Sequence, residues 1–423
     1  MPISFSHQAA RVALASLVVV FLAGCESPRS DITTAPPPAV EGSPLEVPPN
    51  ADLASGSSLG GPLANLSAAD LARFTAGQEE FEAAEEVDEG LGPVFNEAAC
   101  ATCHNAPVGG TTGRAETRFG TSVGGVFDPL ADLGGSLIQD QGIGLVHSNA
   151  GDFTYVREVV PTQANVTAQR ITTPLFGLGL VDAVPDAALL QLARFEATYF
   201  PATRGTPHMV TEISTGATRV GRFGWKAQVP TLFQFSGDAY LNEMGITNPE
   251  FPNENCPQGD CAALAFNPLP ALNDEGEGVQ KFADFMTLLG PPPRGPRSLQ
   301  SVVGGAVFVA TGCGNCHTPI LVTGDSPVPA LSHKTFQPFS DFLLHDMGSL
   351  GDGIVQGAAT PRQMRTAPLW GLSSRPVFLH DGRATTPEAA ILAHDGQGRA
   401  SRNRFAALGA GQRQALIAFL KSL

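Results

Sequence analysis

Cys100-Ala-Thr-Cys103-His104 and, far downstream, Cys313-Gly-Asn-Cys316-His317 are the stretches that decide how this chain is read. Each is C-x-x-C-H, the attachment pattern of a c-type haem. Two thiols add across the haem vinyl groups, and the following histidine supplies the proximal nitrogen to iron. A lone copy reads equally well as a redox dithiol or as half a zinc site. Two copies in a chain with few other cysteines favour haem, because a shared zinc would have to join pairs that are far apart in sequence. Of the seven cysteines, Cys256 and Cys261 sit in Asn255-Cys-Pro-Gln-Gly-Asp-Cys261 with no histidine nearby. A loop disulfide is expected there, closing a short ring of modest stabilising effect.

The seventh, Cys25, belongs to the start of the chain. Arg11 precedes an apolar run, Val12 to Leu22, that ends in Leu22-Ala23-Gly24-Cys25. The run is too short to span a bilayer after processing, and its end is similar to a bacterial lipobox. That resemblance implies a signal peptide over 1–25, a lipid on Cys25 and, with Glu26 next, an outer-membrane anchor facing the periplasm. Residues 26–62, with Pro36-Pro37-Pro38, Pro48-Pro49 and a Ser/Gly run, are expected to be a disordered tether. The formal net charge of -15 argues against nucleic acid as a partner. With 43% hydrophobic and 15% charged residues, 47 glycines and 35 prolines, the chain reads as loop-rich with short helices. A cofactor would supply part of the apolar core.

Ser67-Ala-Ala-Asp70 predicts a helix start, with an acidic helix running to about Glu89. Ser298 to Ala310 predicts a second helix before the second motif. Leu416, Phe419, Leu420 and Leu423 recur at helical spacing and predict a closing amphipathic helix. Pro291-Pro292-Pro293 and Pro296 mark a boundary. Residues 145–160 and 207–222 alternate as strands do. The expected fold is mainly α and loop-rich. It has two cytochrome c-like domains, 63–296 and 297–423, with a small β-hairpin insertion in the first.

The second half carries Arg365-Thr-Ala-Pro-Leu-Trp370, Phe378-Leu-His-Asp-Gly-Arg383 and Thr386-Pro-Glu-Ala-Ala-Ile391, together with Leu343-Leu-His-Asp-Met-Gly348. The first half carries Gly90-Leu-Gly-Pro-Val-Phe-Asn96, Arg222-Phe-Gly-Trp-Lys226 and Asn242-Glu-Met-Gly-Ile-Thr247. Together these resemble the di-haem oxidoreductase family, which is related to bacterial di-haem cytochrome c peroxidases and to the methylamine-utilisation di-haem enzyme. The resemblance implies two covalent haems. The distal ligand of the C-terminal haem falls fourteen positions after His380, on His394; the peroxidases usually have Met there. A bis-His haem with a lowered reduction potential is therefore expected. Met347 is the rival ligand, and His345 and His380 are expected beside the pocket.

At the N-terminal haem the peroxidases carry a switchable histidine soon after the attachment motif. Here none occurs between His104 and His147, so an open distal site is expected, with His147 the rival. The resemblance implies that Glu243, in Glu243-Met-Gly245, is the acid/base, that Gln234 lies near it, and that Trp225 relays electrons between haems. The implied function is a peroxidase-type oxidoreductase. Hydrogen peroxide would be activated at the N-terminal haem, and electrons from a small cytochrome or cupredoxin would pass through the C-terminal haem. A pure electron-transfer cytochrome and an oxidase or oxygenase of a larger substrate are the alternatives. Calcium lies between the domains of related peroxidases, but no ligand pattern for it is present here.

Overall fold

The computed structural model describes residues 51–423. The leader, Cys25 and the tether up to residue 50 lie outside the described residues. Residues 51–62 correct the expected tether, because they run along the body. Ala54 N–H donates to the Thr335 carbonyl (2.8 Å) and Thr335 N–H to that of Asp52 (2.8 Å). Lys334 pairs with Asp52, and Pro62 bridges to Leu289. A Pro/Ser/Gly composition makes no core of its own, yet its backbone can still bond to an existing edge.

Helix α1 (Ala68–Glu82) begins where Ser67 Oγ accepts the Asp70 N–H (3.1 Å). It stops at Ala83, short of Glu89, and only a 3-10 turn follows at Val87–Glu89. Its last turn has no basic residue to offset Glu79, Glu80 and Glu82 at the negative end of the helix dipole. The first motif is itself a single turn, α2 (Cys100–Cys103). After α3 (Leu178–Asp182) and α4 (Asp186–Tyr199) come α5 (Leu232–Met244) and α6 (Glu277–Leu288). The second half holds α7 (Leu299–Ala310), α8 (Pro387–Ala393), α9 (Arg399–Ala406) and α10 (Ala410–Lys421).

The strands are short and paired antiparallel. β1 (Val94–Phe95) pairs with β4 (Gln141–Gly142). β2 (Ala115–Val123) sits between β3 (Val126–Asp128) and β7 (Val166–Ile171), which puts Glu116 opposite Arg170. Hairpins β5 (Gly144–Ser148)–β6 (Gly151–Tyr155) and β8 (His208–Thr211)–β9 (Thr218–Gly221) occupy the two alternating segments. Two further pairs follow, β10 (Leu321–Val322) with β11 (Thr335–Phe336) and β12 (Leu344–Asp346) with β13 (Gln363–Arg365). The fold is thus loop-rich and leans to helix, with more sheet than one hairpin.

The two largest hydrophobic clusters among the described residues form around helix pairs. In the larger, Phe74 and Phe81 of α1 meet Phe282, Phe285 and Met286 of α6. In the second, Val307 and Phe308 of α7 meet Leu416, Phe419 and Leu420 of α10. The α7–α10 approach requires glycine, since a Cβ on Gly304 would fall 1.9 Å from the Ala415 carbonyl oxygen. The larger cluster also takes in Val328, Phe336, Phe342 and Trp370, so the proline-rich boundary is packed across. Cys256 and Cys261 are joined by a disulfide. No helix among the described residues is long and apolar enough to cross a membrane.

Candidate functional site

Both C-x-x-C-H segments fold into the same tight turn. His104 N–H donates to the Cys100 carbonyl and His317 N–H to that of Cys313, each at 3.0 Å. Positions three and four apart share one side of a helical turn, so two sulfurs and an imidazole address one cavity. The four thiols are free. Burial pushes Cys100 up to about 12 and Cys103 up to about 11, and it raises Cys313 and Cys316 as well. A redox dithiol needs the opposite shift.

The C-terminal cavity is lined by Cys313, Cys316, His317, Met347, His380 and His394, amid Phe308, Leu369, Leu416 and Leu420. His394 caps the end of α8, which starts on Thr386 with Pro387 in its first turn. Its Nδ1 is engaged by the Ala390 carbonyl (2.8 Å), and His317 Nδ1 by that of Phe339 (3.0 Å). Both rings therefore keep Nε2 for another partner. The two ring centroids are 6.4 Å apart. Two imidazoles sharing one metal at roughly 2 Å each would be spaced about 6 Å, centre to centre. Burial pushes His317 down to about 4 and lowers His394, disfavouring the charged form of both. Met347 lines the same cavity beside Gly398, close to His394.

His345 is buried against this wall, with Nε2 2.8 Å from Asp341 and Nδ1 3.5 Å from Cys316 Sγ. Ligand atoms of Cys316, Asp341 and His345 lie within 4.8 Å of one another. Attachment of Cys316 would leave only two donors there, too few for a structural zinc site.

Among the described residues, the N-terminal cavity is lined by Cys100, Cys103 and His104, and by no other imidazole. His104 Nδ1 is buried without a hydrogen-bond partner, and burial pushes this histidine down to about 4. The same cavity is lined by Glu243, which α5 carries in its last turn. Gly245, at φ 69°, stops the helix, and a Cβ there would sit 2.6 Å from Gly92 Cα. That stop seats Glu243 against the Asn96 loop. Its carbonyl accepts Asn96 N–H (2.7 Å) and its carboxylate accepts Asn96 Nδ2–H (2.7 Å). Burial, reinforced by the charge of Glu116, pushes the Glu243 carboxyl up to about 8.

Trp225, Ile171 and Thr172 line both cavities. Trp225 Nε1–H donates to the Ile171 carbonyl (2.9 Å), and its ring meets His380 edge-on at 6.2 Å. Ile171 N–H in turn donates to the His380 carbonyl (2.6 Å). Gln234 is not brought into the site. Its side-chain oxygen accepts the Ile213 N–H (2.9 Å), and it does not line the N-terminal cavity. His147 lies on the β5–β6 hairpin, exposed and paired with Asp152 at 2.7 Å, so it is no ligand to either cavity. Sequence reasoning missed Glu116, Arg118 and Asn96. The signal for the first two was a Glu-x-Arg alternation on a strand, which places both on one face.

Two cavities, each opening on a C-x-x-C-H turn, are the candidate sites for prosthetic groups. The chain belongs to the family described as "Di-haem oxidoreductase, putative peroxidase", whose pattern matches residues 156–423. Among solved structures it is similar to hydrazine synthase from Kuenenia stuttgartiensis (14% identity, 85% of this chain and 89% of that one, TM-score 0.37). It is also similar to the diheme peroxidase BthA from Burkholderia thailandensis (13% identity, 88% and 95%, TM-score 0.37). A third is a MauG-like protein associated with microbial copper homeostasis (16% identity, 59% and 89%, TM-score 0.30). No curated protein matches the chain. The residues present fit haem: each cavity has paired thiols, an imidazole whose charged form burial disfavours, and apolar walls.

Proposed function

We propose that this chain is a di-haem c-type oxidoreductase of peroxidase type, with one haem held in each of two cytochrome c-like domains, 63–296 and 297–423. Cys100, Cys103 and His104 would hold the first haem. Cys313, Cys316, His317 and His394 would hold the second. In each half a helix leads into the motif and packs on a later helix, α1 on α6 and α7 on α10. The observation that carries the reading is the asymmetry of the two cavities. One brings two tilted imidazoles to 6.4 Å, and the other sets a single imidazole in a cavity that also holds a hydrogen-bonded carboxyl.

When bound, the haems would supply redox-active iron, held by His317 and His394 in the C-terminal cavity and by His104 in the N-terminal one. Glu243 handles the proton. With its carboxyl protonated at rest, it would give that proton to the leaving oxygen of hydrogen peroxide, which departs as water, and take back the one on the near oxygen, while electrons from an external donor complete the reduction. Asn96 orients the carboxyl for both transfers. Trp225, wedged between the cavities and fixed by Ile171, shortens the path for electrons between them. An external donor, a small cytochrome or a cupredoxin, would refill the protein. The leader and lipobox support export and anchoring of Cys25 in the outer membrane, facing the periplasm.

Replacing Glu243 with Gln in the haem-loaded protein removes the proton carrier while keeping shape. Peroxide turnover is expected to fall by about 10²–10⁴-fold. A Glu243→Gln variant with full turnover would show that the carboxyl plays no part.

A further inference from the structure

Glu116 and Arg118 come from β2, in the segment that precedes the span matched by the family. Alternation along the strand turns both toward the N-terminal cavity, which they line with Glu243. Arg118 grips Glu116 with both arms, Nε to Oε1 at 2.8 Å and Nη2 to Oε2 at 3.1 Å. Glu116 and Glu243 thus face one buried cavity, where each carboxyl shifts the proton affinity of the other. Two like charges side by side out of water are costly, so such a pair keeps one proton.

We infer that Glu116, gripped by Arg118, is a positioning residue of this site. It shares one proton with Glu243 and fixes that proton on Glu243, so that the pair carries a single negative charge. The inference rests on the reading of Glu243 as the residue that works at the N-terminal cavity. The surrounding charges agree with it. Arg170 of β7 adds a second positive charge near Glu116, while Asp238 of α5, one helical turn from Glu243, adds a negative one. Arg114 is taken up by Glu97, and Asp140 also lines the cavity. Despite its burial, Glu116 is held below the usual carboxylate range by Arg118, whereas Glu243 is pushed up by burial first and by Glu116 second. The pair thus presents a donor and an acceptor side by side, the two states a proton shuttle alternates between.

The test is infrared spectroscopy of the haem-loaded protein across neutral and alkaline pH, reading the C=O stretch of protonated carboxyls. Subtracting Glu243→Gln from wild type isolates the Glu243 band, which is expected at neutral pH. Subtracting Glu116→Gln/Glu243→Gln from Glu116→Gln is expected to show that band lost, because Glu243 then ionises against the freed Arg118. Glu116→Asp is expected to restore it. Should Glu116→Gln fail to take up haem, Arg118→Lys decides: a one-armed grip is expected to raise the midpoint of the band by about one pH unit. A Glu243 band with the wild-type midpoint in Glu116→Gln, or in Arg118→Lys if that variant decides, would overturn the inference. The band does not depend on turnover. A Glu243→Gln enzyme that stays fully active would therefore refute the peroxidase role and leave the shared proton standing.

Discussion

Asp352 is fully buried, and its two oxygens are divided between two buried cations from the other half of the chain. Lys226 Nζ lies 2.8 Å from Oδ1 and Arg170 Nη2 lies 2.6 Å from Oδ2, with the cations 0% and 2% exposed. Burial alone would raise this carboxyl, yet Arg170 and Lys226 together hold it below its usual range. Asp352→Asn keeps the shape and removes the charge, leaving two uncompensated cations inside the protein. Breaking a buried pair costs about 3–5 kcal/mol. The lower end is expected, because the cations keep neutral acceptors. Lys226 also donates to the Thr360 and Gln363 carbonyls, and Arg170 to Gln356 Oε1 (2.6 Å). Lys226 can also shed its proton. Burial already pushes it down to about 8, with Asp352 opposing, and in the variant it falls further. A lysine lowered in the folded state binds fewer protons there than in the unfolded chain, so stability rises with pH above its folded value. In the variant that rise begins at lower pH. The deficit is therefore largest at mildly acidic pH, where Asp352 of the wild type is still ionised and Lys226 of the variant still protonated, and it narrows as pH approaches 8. Urea unfolding followed by circular dichroism at several pH values reads this directly. A loss below about 1 kcal/mol, the size of a surface pair, or a deficit that widens toward pH 8, would refute the reasoning.

Three further outcomes follow from the geometry. His394→Met would exchange an imidazole for a thioether in the C-terminal cavity and is expected to raise the reduction potential of that haem, read by potentiometric titration. Trp225→Phe removes the Nε1–Ile171 bond; it is expected to slow electron exchange between the haems while leaving peroxide binding unchanged, as rapid-mixing spectroscopy would show. Gly304→Ala drives a methyl group into the Ala415 carbonyl and is expected to destabilise the α7–α10 pair by about 1–3 kcal/mol, measured by denaturant unfolding.

The parts of this molecule legible in its sequence are those set by local rules. Ser67 and Ser298 cap helices because their hydroxyls accept the N–H three residues on, and the closing helix announces itself by the spacing of Leu416, Phe419 and Leu420. The end of α1 was misplaced because the acidic run favours a helix by propensity and opposes one by repulsion. Residues 51–62 were misread because docking depends on an edge that composition does not display. At the site, the histidines and thiols stand in a motif, whereas Glu116 and Arg118 acquire meaning only when β2 folds back along β7. Gln234 shows the converse. It lies close to Glu243 in sequence on α5, but its side chain is engaged by the Ile213 backbone and is absent from the cavity wall.

The central claim is that two haems share this chain in unlike coordination, and electron paramagnetic resonance of the ferric haem-loaded protein tests it most directly. The account predicts one high-spin signal, from iron held by His104 alone, beside one low-spin signal from iron between His317 and His394, and it predicts that the high-spin signal is lost on adding hydrogen peroxide. Two low-spin signals, both indifferent to peroxide, would contradict it.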